Sequence, residues 1–257
     1  MDFNRTRVEP PTIENIKKAC PDYETMLVRV LDMIIWRYQA DPDYPFINTK
    51  RNLITGNDFS DAPEPATDFK GRNAIFSWIQ GRGLEALVGH VRWLPECTVL
   101  SHAEKNYRID KLNSMIRELL DVLESIRDRN NGHLFFLMTP EGRPFVMGKD
   151  GKREFVEIDA SSPHNSSDLF CSKGMIAAAH YLGKAERAAS AEEYFGRVLR
   201  DIETQRFTTD QISFDPKNKV APEPGKYGHG SRMIALAGLA LVLENSREEQ
   251  ANVVERG

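Results

Sequence analysis

The stretch Trp78-Ile-Gln-Gly-Arg-Gly-Leu-Glu-Ala-Leu87 carries an arginine and two glycines on an otherwise apolar helical pattern. Trp78 and Arg82 are four residues apart, so they share one face of the predicted helix. Gly81 and Gly83 each cost about 1 kcal/mol relative to alanine in a helix interior. We therefore expect either close helix packing or a closely approaching ligand at this segment.

Two interpretations of Arg82 stay open at this point. In the first, Arg82 pairs with Glu85 on a polar edge of the helix while Trp78 packs in the core. In the second, Trp78 and Arg82 line a polar site.

A second polar spot, Tyr227-Gly-His-Gly-Ser-Arg232, precedes a strongly apolar helical segment. The positive end of a helix keeps a histidine such as His229 neutral and able to act as a base. Such a base suits removal of a proton from a carbon next to a carbonyl. A capping or loop histidine that bonds to the backbone is the alternative.

Helical periodicity dominates the rest of the chain. In the first helix, Tyr23, Leu27, Val30 and Ile34 recur on one face, and Asp22 after Pro21 is the expected N-cap. The predicted helices cover residues 22–39, 72–94, 109–129, 168–182, 189–204 and 231–244.

Two segments differ from the amphipathic helices in their hydrophobic pattern. Residues 133–147 carry two short apolar runs around Thr-Pro-Glu-Gly, which predicts a β-hairpin inserted between helices. The last helix is apolar on every side, so we expect it to be buried all round.

Composition excludes several classes of protein. The 257 residues carry a net charge of -4, which does not suit a nucleic-acid or anionic membrane surface. No apolar run is long enough for a transmembrane helix, and the N-terminus lacks a signal-peptide core. The widely spaced Cys20, Cys97 and Cys171 indicate neither a disulfide framework nor a zinc site. We expect a cytoplasmic protein with no metal and no cofactor.

A nucleotide-binding interpretation competes for the first motif. The run Gly81-Arg-Gly83-Leu-Glu-Ala86 matches G-x-G-x-x-A, and Glu104 follows about 20 residues on, as in a dinucleotide-binding unit. The required alternation of strands and helices is missing after Asn106, so we favour the helical interpretation.

Carboxylate catalysis is a further alternative. Helical toroid enzymes that cleave glycosidic bonds use one or two acidic residues. Asp58, Asp61, Asp68 and Asp168 lie near loops or helix starts, where N-capping or solvation also explains them.

Four motifs in order resemble the N-acylglucosamine 2-epimerase superfamily, which includes cellobiose epimerases and aldose-ketose isomerases. The first is Trp78-Ile-Gln-Gly-Arg82, preceded by a loop with Asp68-Phe-Lys70. The strand and turn of Gly132–Gly142 are similar to the family's hairpin. Ser167-Asp-Leu-Phe170 is similar to its Ser-Glu-x-Phe helix start, and Gly228-His229 to its Gly-His-x-x-Glu.

The resemblance implies a single all-α domain of the (α/α)6-barrel type over residues 1–257, with a sugar pocket at the inner-helix ends. It implies an isomerase that transfers a proton at C2 of an aldose or N-acyl-hexosamine. His229 is then the acid/base group and Arg82 stabilises the enolate oxygen. The substrate-binding residues are Trp78, Gln80, Asp168, Phe170 and Arg232.

The chain departs from the family in two ways. Arg232 stands where the family has a glutamate, and no residue matches its second catalytic histidine. Six helices are about half of a complete barrel. We therefore expect an incomplete toroid: the N-terminal part of a longer barrel, a form closed by a partner such as a second copy, or a carbohydrate-binding remnant. A glycoside hydrolase or lyase on the same toroid is the remaining alternative.

Overall fold

The computed structural model describes residues 12–52, 54–59, 70–148, 152–208 and 229–256, with the side chains of the last range up to residue 245. Within these ranges the chain is mostly helical and carries one small antiparallel sheet. The helices are α1 (Ile13–Gln39), α2 (Ser77–Trp93), α3 (His102–Arg129), α4 (Ser166–Tyr181), α5 (Ala185–Glu203) and α6 (His229–Arg256). The strands are β1 (Ile75–Phe76), β2 (Leu137–Met138), β3 (Pro144–Met147) and β4 (Arg153–Phe155).

The first helix corrects the prediction in both start and face. It begins at Ile13 behind the N-cap Thr12, and Pro21 lies inside it, so Asp22 is not its cap. The loss of one backbone N–H at a proline did not end a helix of 27 residues. Its buried residues are Val28, Leu31 and Ile35. Of the predicted face, Tyr23, Leu27 and Val30 are exposed and Ile34 is partly buried.

Capping boxes start two of the predicted helices. Ser101 and Glu104 exchange hydrogen bonds at the start of α3, seven residues before the predicted boundary. Asn165 and Asp168 do the same for α4. Such reciprocal bonds satisfy backbone N–H groups that the first helical turn leaves without partners. The predicted buried face of α3 is confirmed: Leu112, Ile116, Leu119, Leu123 and Ile126 are all buried.

The inserted hairpin is confirmed as β2 and β3, which pair antiparallel with Leu137 opposite Phe145. Its turn contains Gly142 at φ +88°, in the left-handed region that glycine adopts at low cost. Two further strands extend it into a four-stranded sheet of order β1-β2-β3-β4. Since β1 occupies Ile75–Phe76, α2 begins at Ser77 and not at residue 72.

The central helix is α4, which packs against α2, α3, α5 and α6 and is buried on all sides. It meets α2 at two glycines. A Cβ on Gly174 would lie 2.2 Å from the carbonyl oxygen of Gly81, and a Cβ on Gly81 would lie 2.6 Å from the backbone of Cys171. Close helix packing is therefore what offsets the cost of Gly81 in α2.

The last helix corrects the prediction that it is buried all round. It packs against α4 and α5 through Ala235 and its neighbours, while Met233, Leu236, Leu239 and Leu243 are exposed. An apolar sequence lets a helix be buried, but each buried face needs a neighbouring element. The described elements that α6 packs against, α4 and α5, leave Leu236 and its neighbours exposed. Among the residues that the structure describes, no helix has both the length and the apolar character needed to cross a bilayer.

Candidate functional site

The guanidinium of Arg82 lies against two neighbouring aromatic rings where α2 and α4 begin. Its Cζ atom is 5.5 Å from the centroid of Trp78 on α2 and 5.6 Å from that of Phe170 on α4. Arg82 is exposed, while both rings are partly buried. At an exposed position each such cation–π contact contributes about 0.5–1 kcal/mol. The rings therefore hold the cation in place while leaving it open to a ligand.

Further aromatic side chains extend this cluster toward the sheet. Phe136 stacks on Trp78 with ring centroids 6.3 Å apart and planes 11° apart, and Phe76 meets Phe136 edge-on at 5.2 Å. Phe170 is tilted against Trp78 at 5.9 Å. We call Phe76, Trp78, Arg82, Phe136 and Phe170 the aromatic–arginine cluster.

The indole of Trp78 carries a donor without an acceptor. Its Nε1 atom is buried and has no hydrogen-bond partner among the described residues. An unsatisfied buried donor of this kind costs about 1–3 kcal/mol.

The acidic residue nearest to Arg82 on the same helix face is engaged elsewhere. Glu85 lies 3.2 Å from the ammonium of Lys173, a buried lysine of α4. The predicted alternative in which Arg82 pairs with Glu85 is therefore wrong. Within the described part of the chain, Arg82 forms no salt bridge, so it brings a positive charge to the cluster.

The side chain of Gln80 forms two hydrogen bonds with the backbone of Ile47. The Oε1 atom of Gln80 accepts from the backbone N–H of Ile47 at 2.8 Å, and its Nε2 donates to the carbonyl of Ile47 at 3.0 Å. The side chain is buried, and its amide pins residues before α2 to the helix. The amide is therefore engaged by backbone groups, although the sequence interpretation made Gln80 a substrate ligand.

Asp168 is the centre of a buried hydrogen-bond network. Its Oδ1 accepts from the backbone N–H of Leu134 at 2.7 Å and from the hydroxyl of Tyr194 at 2.5 Å. Its Oδ2 accepts from the backbone N–H of Asn165 at 2.9 Å and lies 3.3 Å from Nδ1 of His133. Burial and the nearby Asp168 carboxylate raise the pKa of Tyr194 well above its ordinary value, so the phenol keeps its proton and donates.

A second histidine–aspartate pair continues this network. The rings of His133 and His164 have centroids 4.6 Å apart, and Nδ1 of His164 lies 2.7 Å from Oδ2 of Asp201. Sequence reasoning missed both pairs, because the partners are 35 and 37 residues apart and match no local motif. The pattern Asn165-x-x-Asp168 before an apolar run was the one available signal.

His229 and Arg232 occupy the first turn of α6. His229 is exposed and Arg232 is partly buried. Among the described residues, His229 forms no hydrogen bond, ion pair or ring contact with the aromatic–arginine cluster. Gly228 and Asp68, which also entered the resemblance, lie outside the described residues.

The other predicted carboxylates give no catalytic pair. Asp58 forms a salt bridge with Arg37 beside a cavity of about 150 Å³ at the end of α1. Asp168 is fully buried, and Asp61 and Asp68 lie outside the described residues. The G-x-G-x-x-A run lies within α2 and not in a turn after a strand, which removes the nucleotide interpretation.

The described side chains contain no group of three or more His, Cys, Asp or Glu residues arranged to hold a metal ion. The chain matches no family model, no curated protein and no solved structure. The resemblance to the N-acylglucosamine 2-epimerase superfamily therefore stays a prediction that depends on the motifs alone.

Proposed function

We propose that this chain is a sugar epimerase or aldose-ketose isomerase that moves a proton at C2 of an aldose or N-acyl-hexosamine. The observation that carries the proposal is the exposed guanidinium of Arg82 against the rings of Trp78 and Phe170. Aromatic faces such as those of Trp78 and Phe170 pack against the C–H groups of a sugar ring. The guanidinium supplies fixed positive charge where an enolate oxygen forms.

The chemistry needs one base and one stabilised oxygen. His229 removes the C2 proton, the electron pair of the C–H bond forms the C1–C2 double bond, and the C1 oxygen becomes an enolate beside Arg82. In isomerisation, His229 returns the proton to C1 while the hydroxyl proton of O2 passes to O1. In epimerisation, a solvent water donates a proton to the opposite face of C2, and His229 releases its own proton to solvent. The role of His229 comes from the resemblance alone.

The arrangement of helices supports the proposed (α/α) toroid. α4 packs against both α2 and α6, while α3 and α5 connect them in the chain. In an (α/α) toroid, α2, α4 and α6 would be inner helices and α3 and α5 outer ones, with the cluster at the start of two inner helices.

The direct test is exchange of the C2 proton in deuterated water, followed by NMR, with N-acetylmannosamine, mannose and cellobiose. We expect exchange with at least one of them, a loss of about 100-fold in Arg82→Gln, and abolition in His229→Ala. Arg92→Gln, an exposed arginine of the same helix, is the matched control and should exchange like wild type. Absence of exchange with all three sugars would contradict the activity.

Carbohydrate binding without turnover is the second candidate. It is favoured because Gln80 and Asp168 are engaged internally and Arg232 replaces the glutamate of the resembled family. It predicts sugar binding that depends on Arg82 and Trp78, with no C2 exchange in either wild type or variants.

A further inference from the structure

The carboxylate of Asp168 joins two structural elements. In the capping box of α4, its Oδ2 accepts from the backbone N–H of Asn165, and the Asn165 side chain accepts from Ser167 and Asp168. The second oxygen reaches out of the helix, to the backbone N–H of Leu134 at 2.7 Å. The side-chain Nδ2 of Asn165 donates to the carbonyl of Leu134 at 3.0 Å. The backbone of Leu134 is therefore held by both residues of the box.

The segment that starts at Leu134 runs directly to the aromatic–arginine cluster. Ser77, the first residue of α2, donates its hydroxyl to the carbonyl of Phe135 and its backbone N–H to the carbonyl of Phe136. Residues 134–136 thus bridge the starts of α4 and α2. The ring of Phe136 at the end of this bridge stacks on Trp78.

We propose that Asp168 is a positioning residue of the aromatic–arginine cluster, which acts through Leu134 and Phe136 to set the ring of Trp78. The inference rests on the proposed function for its effect on sugar affinity. Asp168 itself is fully buried and presents no surface to a ligand. Its negative charge accepts hydrogen bonds from backbone N–H groups, which a neutral amide accepts more weakly.

The test uses a chain in which Trp36 and Trp93 are replaced by phenylalanine, so that Trp78 alone reports. Asp168→Asn removes the charge at nearly constant shape. Tyr194→Phe is the matched control, because it removes a hydrogen bond to the same Oδ1 without touching Leu134. We expect Asp168→Asn to change the circular dichroism of Trp78 at the long-wavelength edge of the near-UV band, where tyrosine does not absorb. We also expect it to weaken N-acetylmannosamine or mannose binding about tenfold. Tyr194→Phe should lower the melting temperature but leave both readouts close to the parent chain.

A double-mutant cycle distinguishes positioning of Trp78 from a general loss of stability in Asp168→Asn. Phe136→Leu removes the stacked ring with the hydrogen bonds of Asp168 intact, and it should reproduce the Trp78 signal and the weaker binding. Adding Asp168→Asn to Phe136→Leu should then cause no further loss of affinity, since both act on one contact. Effects that add fully, or an Asp168→Asn spectrum equal to that of the parent, would overturn the inference. If no sugar binds the parent chain, the proposed function fails while the Trp78 spectra still decide the positioning role.

Discussion

The helices α4 and α6 have similar apolar sequences but different surroundings. α4 is buried on every side by α2, α3, α5 and α6, and the aromatic–arginine cluster lies at its start. α6 is covered by α4 and α5 on one side and exposes Leu236 and its neighbours on the other. Apolar composition therefore indicates that a helix can be buried, whereas the number of packed neighbours determines how much of it is.

The two helices also use glycine differently. Gly174 of α4 faces the backbone of Gly81, which cannot move without separating the helices. Gly238 of α6 faces the ring end of Phe195 and the stem of Lys173, which are side-chain atoms and not backbone.

Replacing these glycines should produce the largest difference. We expect Gly174→Ala to lower the free energy of unfolding by about 4 kcal/mol, because a Cβ cannot fit against a carbonyl oxygen. Gly238→Ala should stay within about 1 kcal/mol of wild type, since the gain in helix propensity offsets a small side-chain shift. Urea unfolding followed by circular dichroism measures both. Gly89→Ala, with open space around its Cβ, is the control and should stabilise by about 1 kcal/mol. Equal costs at Gly174 and Gly238 would contradict the close contact of α2 and α4.

A pair of leucine truncations compares the buried and the exposed face. Leu169 of α4 is fully buried, and Leu236 of α6 is 60% exposed. We expect Leu169→Ala to cost about 3 kcal/mol through lost burial and the cavity left behind. Leu236→Ala should change the free energy of unfolding by less than about 0.5 kcal/mol. A cost at Leu236 as large as that at Leu169, at a protein concentration where the chain self-associates, would show that this face is covered in solution.

The pH dependence of stability should differ between the His164–Asp201 pair before α4 and His229 at the start of α6. We expect this effect to be smaller than those of the glycine and leucine replacements. Burial raises the pKa of Asp201, but hydrogen bonds from the backbone and ring of His164, with the charges of His164 and Arg206, lower it by more. A carboxyl whose pKa is lowered on folding stabilises the fold above its unfolded pKa of about 3.9 and loses that contribution as the pH falls through the folded pKa. We therefore expect Asp201→Asn to reduce the slope of stability against pH below about pH 4. His229→Ala should leave that slope unchanged, and a slope unaffected by Asp201→Asn would contradict the role of the pair.

Local sequence patterns predicted the helices and the hairpin, but they could not predict contacts between segments that are distant in the sequence. The hairpin was predictable because apolar runs flank a turn that requires Gly142. The wrong start of α1 followed from treating Asp22 as a cap, because Pro21 indicates a boundary that the preceding turns of helix override. Its wrong face followed from apolar spacing alone, since α1 carries apolar residues on more than one side.

The contacts of the candidate site also separate into those that local spacing predicts and those between distant residues. Trp78 and Arg82 face one another because helix geometry brings residues four apart together. Phe170 entered from the family resemblance and not from spacing. The bond from Asp168 to Leu134 spans 34 residues, and the pairing of Glu85 with Lys173 joins two helices, so neither leaves a local pattern.

Binding of sugar at the aromatic–arginine cluster tests the central claim most directly. Saturation-transfer NMR detects the contact between protein rings and sugar protons, independently of turnover, with N-acetylmannosamine, mannose and cellobiose as probes. We expect transfer to the ring protons of at least one sugar in wild type, a strong decrease in Trp78→Leu and Arg82→Gln, and no change in Arg92→Gln. No transfer to any of the three sugars, or transfer that persists unchanged in Trp78→Leu, would contradict the account.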